Sequence, residues 1–428
     1  MLADIKEIRQ RRNAYRITIC LAKVIRVQYI TLSNSPRLNC MEISDTYQGR
    51  EHSLIKHELL RGYLEVLLAI VGISGVKEFT YVDCFAGPWG DESESLSGTS
   101  IAISLEILSK VKKMLSDSRH VRDTKFRAIY VEENIKSHAK LAEYLKKHSP
   151  EGIECIAIHG DYAKKQDEIL HLCGEKSFSF FFIDPKGWLD VGIPKLSKLL
   201  SRPRSEFLIT FMYDFLNRAI GMSNFRPQVS QMLGNLSEQD YLEMESLPAP
   251  ERANWVVRKY REQLKTPMSI NGGRPRSYHA DILHKDKDRV HYHMVYLTSH
   301  HKGVVKFAEA SERVDVLQKI LRVQKKLDAS SQFSLFSAEE QVEHHKSERS
   351  SLEDVKAYWL RKLDLLPIRY DEQTLATMLE ETGWLIRDFQ DAFRELNKDN
   401  KVENLDGSTR RTKHPIHFGK GERLRKLV

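Results

Sequence analysis

Tyr81-Val82-Asp83-Cys84-Phe85-Ala86-Gly87-Pro88-Trp89-Gly90 is an apolar run too short for a helix that stops at an aspartate and then turns on glycine and proline. Further along, Phe178-Ser179-Phe180-Phe181-Phe182-Ile183-Asp184-Pro185-Lys186-Gly187-Trp188 repeats the pattern. A strand buried on both faces of a parallel sheet delivers polar groups to the carboxyl edge in this way, and open α/β folds hold ligands at that edge.

The chain around these two runs alternates regularly. Strand candidates at 78–84, 126–132, 153–159, 177–183 and 206–212 are separated by helical stretches at 99–115, 134–147, 163–172 and 192–200. A helix from Leu54 to Val71, with Gly72 as its cap, precedes them. Strands separated by helices require right-handed crossovers and a parallel sheet. Strands resume at 277–283 and 291–298, joined by the charged turn His284-Lys285-Asp286-Lys287-Asp288-Arg289. A connection that short makes an antiparallel hairpin, so the last strand runs against the others. The expected fold is α/β: a class I methyltransferase-like, Rossmann-like mixed sheet of seven strands.

The expected organisation has four parts. Residues 1–40 are an N-terminal extension of uncertain status, with Met41 the natural start of translation. Residues 41–327 form the methyltransferase-like domain, with a polar, helical insertion at 221–275. Residues 328–350, rich in Ser, Gln, Glu and His, are a linker. Residues 351–428 read as a winged helix-turn-helix domain: helices at 352–363, 371–381 and 384–397, then wing strands at Lys401-Val402-Glu403 and Ile416-His417-Phe418.

Composition narrows the class. The 428 residues are 41% apolar and 29% charged, without Gly or Pro enrichment, so the chain is neither fibrous nor largely disordered. The longest apolar stretch, Val66 to Val71, falls far short of the ~18 residues of a membrane span. Lys23 and Arg26 break the early apolar run, which argues against a signal peptide. Five scattered cysteines without CxxC spacing fit a reducing cytoplasm. The net charge of +8 sits at the ends: residues 1–40 hold eight Lys/Arg against two acids, and residues 401–428 eight against three.

Asp83, Phe85, Ala86, Gly87 and Gly90 form the candidate cofactor turn: the glycines allow close backbone approach, and Asp83 can meet an ammonium group. Pro88 and Trp89 depart from GxGxxG, which favours a methyl donor over a dinucleotide. Glu132 ends the second strand, where it can accept from ribose hydroxyls, and Asp161 follows the third, where it can take an adenine amino proton. Three acids closing three consecutive strands indicate S-adenosyl-L-methionine as cofactor.

Asp184, Pro185 and Trp188 are the candidate catalytic residues. A carboxylate and the carbonyl of a residue lacking N–H can orient an amino group, and an aromatic ring can stack on a base. Amino-methyltransferases carry Asp/Asn-Pro-Pro-aromatic at this place; Lys186-Gly187 replaces the second Pro and displaces the aromatic by one position. Methylation of nucleic acid at an amino group is therefore the expected activity. The alternative is a degenerate scaffold. No metal is expected, because His284, His291, His293, His300, His301 and the His344-His345 pair have no partners at ligand spacing. At the C-terminus, Arg410, Arg411, Lys413, Lys420 and Arg423, with Arg425 and Lys426 beyond, are placed where a wing would meet a phosphate backbone.

At these residues the chain resembles the three-Cys-motif partner protein (TcmP) family. The resemblance runs through Tyr47-Gln-Gly-Arg-Glu-His with Lys56-His57, the Asp83–Gly90 turn, Asp184–Trp188, Glu206 to Arg218, and Tyr292 to Gly303. It covers about residues 41–330, and the C-terminal unit is similar to the one appended in that family. The resemblance implies an S-adenosylmethionine-dependent methyltransferase fold and association with a three-cysteine, radical-S-adenosylmethionine-like protein. It implies no substrate.

Overall fold

A computed structural model describes residues 47, 51–87, 98–117, 124–268, 274–284, 287, 289–330, 350–408, 411 and 414–427. The expected extension at 1–40, nearly all of the 328–350 linker, and the candidate site residues Gly90, Arg410 and Lys413 lie outside the described residues.

Seven strands form one sheet: β1 (Glu78–Asp83), β2 (Lys125–Glu132), β3 (Ile153–His159), β4 (Phe178–Ile183), β5 (Ser205–Phe211), β6 (Arg276–Leu283) and β7 (Val290–Thr298). Their order is β3-β2-β1-β4-β5-β7-β6. The β1–β2 and β2–β3 ladders are parallel, whereas β7 runs antiparallel to both β5 and β6. This is the mixed, Rossmann-like sheet with a reversed strand that the alternation predicts. The chain divides into two compact units between Phe180 and Phe181.

In the first unit, Phe79 to Asp83 are buried on both faces of β1, as a central parallel strand requires. The helix Glu51–Ile73 turns Leu60, Leu64 and Leu68 inward, and the helix Ser100–Ser116 does the same with Ile107, Leu108 and Val111. Thr99 caps the latter, its side chain accepting from Ala102 N. The helix expected from 163 begins only at Gln166. Asp161 Oδ1 accepts from Ala163 N at 2.9 Å, which closes a local turn there instead.

In the second unit, β5 is buried throughout. The polar stretch after it carries the helices Arg226–Leu233, Glu238–Ser246 and Ala249–Lys265. The long helix His301–Ser330 follows β7. The helices Leu352–Lys362, Glu372–Thr382 and Ile386–Lys398 then accompany a three-stranded antiparallel sheet, β8 (Ile368–Tyr370), β9 (Val402–Asn404) and β10 (Glu422–Lys426), in the order β8-β10-β9. Trp359 is fully buried among them and donates its indole N–H to the Phe389 carbonyl at 3.0 Å.

One of the two expected C-terminal strands is not where the sequence places it. Ile416 pairs with a side chain rather than a strand: its N–H donates to Gln390 Oε1 at 3.0 Å and its carbonyl accepts from Gln390 Nε2 at 2.9 Å. Phe418–Lys420 is a 3-10 turn, and the strand forms at Glu422–Lys426. The edge of β6 is covered by the chain after Thr377: Ser277 N donates to Glu380 Oε1 at 2.9 Å, and the Tyr278 hydroxyl to the Trp384 carbonyl at 2.7 Å. Among the described residues, no helix is long and apolar enough to cross a membrane.

Candidate functional site

The first unit brings its three acids to one sheet edge. Asp83 closes β1 and is fully buried; its Oδ1 accepts from Phe85 N at 3.1 Å and its Oδ2 from Ser100 Oγ at 2.6 Å. The carboxylate thus joins the turn after β1 to the start of the following helix. Glu132 closes β2, is 2% exposed, and accepts from Asn134 N at 2.6 Å. Asp161, half-buried, follows β3.

The last two carbonyls of β2 hold the neighbouring turns. Ala86 N donates to Val131 O at 2.8 Å, and Gly160 N to Glu132 O at 3.0 Å. Gly160 sits at φ +139, where a Cβ would press on the Lys165 side chain. Phe85 and Tyr162 meet above β2, with ring centroids 4.8 Å apart. Ala86 and Gly87 are buried. Sequence reading missed Ser100 and Tyr162. Tyr162 was accessible from its position next to Asp161, whereas the role of Ser100 depends on a helix start seventeen residues from its partner. The arrangement offers carboxylate acceptors for ammonium and hydroxyl groups beside an aromatic surface.

The second unit carries the candidate catalytic residues. Asp184 follows β4 directly and is half-buried; Pro185 is buried, Lys186 is exposed, and Trp188 opens a 3-10 turn to Val191. That turn is anchored by the Tyr260 hydroxyl, which donates to the Val191 carbonyl at 2.7 Å. Tyr292, on β7, is buried, and its hydroxyl is held well above the ordinary tyrosine range, first by burial and then by the Asp184 charge. It therefore remains a proton donor in the neighbourhood of Asp184.

Because β7 is antiparallel to β5, its first residues lie at the carboxyl edge of β5, with Phe211 opposite His293. Asp214, just past β5, pairs with Arg289 at 3.1 Å, and His291 Nδ1 lies 3.9 Å from its other oxygen. Burial lowers the His291 pKa and pushes the Tyr213 hydroxyl up to about 12. Phe215 is 45% exposed, with the Arg218 guanidinium 4.7 Å above its ring. Strand register creates this grouping of Asp214, Arg289, His291 and Tyr292, and no local motif announces it.

The C-terminal cations are brought to one cleft but are largely engaged within it. Arg411, Lys420 and Arg423 line it with Arg369. Arg423 pairs with Asp406 at 2.7 Å, Arg411 with Glu422 at 2.7 Å, and Arg425 with Glu403 at 2.6 Å. Arg423 holds the Asp406 carboxyl down at about 2.

No family model and no curated protein matches the chain. Among solved structures, a Legionella pneumophila protein of the family model DUF519 is similar with a TM-score of 0.31 at 12% identity, over 58% of this chain and 85% of that one. The O-methyltransferase TomG of Streptomyces achromogenes, involved in tomaymycin synthesis and solved with S-adenosylmethionine, gives 0.30 at 10% identity, over 65% and 96%. A loganic acid methyltransferase solved with S-adenosylhomocysteine gives 0.23 at 12% identity, over 84% and 92%. The Rossmann-like character of the sheet follows from its own strand order and ladder directions, not from these likenesses.

Proposed function

We propose that this chain is an S-adenosyl-L-methionine-dependent methyltransferase acting on an amino group of nucleic acid, and a member of the three-Cys-motif partner family. The observation that carries the reading is the convergence of Asp83, Glu132 and Asp161 at the ends of three adjoining strands of a sheet whose seventh strand is reversed. A scaffold has no physical need for carboxylates gathered at one ligand-binding edge.

The cofactor supplies an electrophilic methyl group on a sulfonium. Glu132 would accept from its ribose hydroxyls and Asp161 from its adenine amino group, and the Phe85–Gly87 turn would give the backbone close approach. Asp184 and the Pro185 carbonyl would hold the acceptor amino group, and Asp184 would take the proton that nitrogen loses on methylation, the methyl having left the sulfonium as a thioether. Trp188 stacks on the base. Titrating the full-length protein with S-adenosylhomocysteine tests the class: saturable micromolar binding is expected, and no heat at high micromolar ligand sinks it.

A second reading is a regulatory scaffold for a three-cysteine protein, with the C-terminal unit as a winged helix on DNA. It is favoured by Lys186-Gly187 in place of the second Pro, and by Asp83 having both oxygens engaged within the chain. Methyl transfer to mixed nucleic acid, measured with labelled cofactor, separates the two readings.

A further inference from the structure

We propose that His279, Asp281 and His293 form a binding site for a divalent transition-metal ion of the zinc class. His279 and Asp281 are two residues apart on β6, so both side chains leave the same face. The β6–β7 ladder sets Asp281 opposite His293. One potential ligand atom from each residue lies within 4.8 Å of the other two. His293 Nδ1 is 2.7 Å from Asp281 Oδ1, and His279 Nε2 is 3.4 Å from the same oxygen. Two imidazoles and one carboxylate are a donor set that zinc-class ions take while keeping further positions open.

Two observations point from this cluster to a ligand. His293 is fully buried and its Nε2 makes no hydrogen bond among the described residues, although a buried ring nitrogen ordinarily finds a partner. His279 and Asp281 also line a cavity of about 290 Å³ between the helix Ala249–Lys265 and residues 381–384, which provides an entry path and room for an exchangeable ligand.

Arg261 sets the terms of binding. Its Nη1 is 3.2 Å from His279 Nδ1, and since a guanidinium only donates, that nitrogen accepts and the ring proton sits on Nε2. An ion bound at Nε2 must displace this proton and turn Arg261 away from Nδ1. Meanwhile Ser277 Oγ, the Ser277 carbonyl and the Glu380 carbonyl keep the guanidinium nearby. The site therefore favours ions with strong imidazole affinity, and discriminates against Mg²⁺ and Ca²⁺, which want oxygen ligands.

The test is Co²⁺ titration of the full-length protein, followed by its visible absorption and displacement by Zn²⁺. One equivalent of Co²⁺ should give a ligand-field band that Zn²⁺ removes and Mg²⁺ does not. Asp281→Asn should weaken the complex by at least roughly tenfold, His293→Gln should abolish the band, and Arg261→Gln should tighten binding. Zn²⁺ should also raise the melting temperature of the wild type and not that of Asp281→Asn, a readout that holds if one variant folds poorly. Absence of the band overturns the proposal, as does a band unchanged by Asp281→Asn, which would place the ion on other histidines such as His300 and His301. Loss of Co²⁺ binding in a folded Arg261→Gln protein overturns it too.

Discussion

Phe85 and Tyr162 stand with ring centroids 4.8 Å apart, which joins the turn after β1 to the turn after β3 above the end of β2. The two turns carry different candidate ligands of the cofactor, so the aromatic contact holds their separation constant.

Removing that contact should loosen the cofactor edge without unfolding it. Phe85→Ala is expected to weaken S-adenosylhomocysteine binding by about 1 kcal/mol, roughly fivefold. Glu132→Gln, which removes a charged acceptor, should weaken it by roughly tenfold or more. Calorimetric titration measures both, and unchanged affinity in the two variants would remove these residues from the cofactor site.

In the proposed reaction Asp184 acts on the acceptor rather than on the cofactor. Asp184→Ala should lower methyl transfer by at least about 100-fold while S-adenosylhomocysteine affinity stays within about threefold. Tyr292→Phe should lower transfer less, because it removes only the hydroxyl near that carboxylate. If Asp184→Ala loses cofactor affinity in parallel with activity, the division of roles is wrong.

Glu312 gives the fold a pH dependence of known sign. It lies on the helix His301–Ser330 and accepts from Arg387 N at 2.6 Å, near Asp315 and Asp388, and Arg387 also pairs with Asp315. Burial raises its pKa to about 7 from the ordinary 4.5 of a glutamate, against the opposing pull of Arg387. The folded chain thus holds a proton that the unfolded chain releases between those two values. The resulting stability is fully present below the unfolded pKa and is lost as pH rises through 7, by about 3 kcal/mol at most. Glu312→Gln should therefore be more stable than wild type at pH 8 and similar at pH 5. Thermal melts at both values test this, and equal differences at the two would refute it.

The C-terminal cleft leaves a narrower electrostatic prediction than its sequence suggests, since Arg411, Arg423 and Arg425 already face acids. Lys420→Glu with Arg369→Glu should reduce nucleic-acid binding at low salt and flatten its salt dependence. Gel shifts across an ionic-strength series check this. A slope identical to wild type would assign binding elsewhere.

The strands of the large sheet were legible because most are apolar runs ended by an acid, a glycine or a charged turn, and the observed limits differ from the expected ones by a residue at most. β8 was not legible: three residues, Ile368-Arg369-Tyr370, carry no period. Ile416 misled because an apolar residue beside a turn reads as a strand, while the buried side chain of Gln390 takes its backbone groups. The acids of the first unit were readable because each ends or follows a strand. The pairing of Asp281 with His293 was not, because it exists only through the β6–β7 register.

The bonds from Ser277 N to Glu380 and from the Tyr278 hydroxyl to Trp384 bear on how the protein survives in solution. β6 is one of the two edge strands of the large sheet, and an uncovered strand of that kind templates the addition of further chains. The residues after 350 thus act as a solubility guard for the domain before them. A protein ended at residue 350 should polymerise edge to edge at concentrations where the full chain stays dispersed, and light scattering would show it.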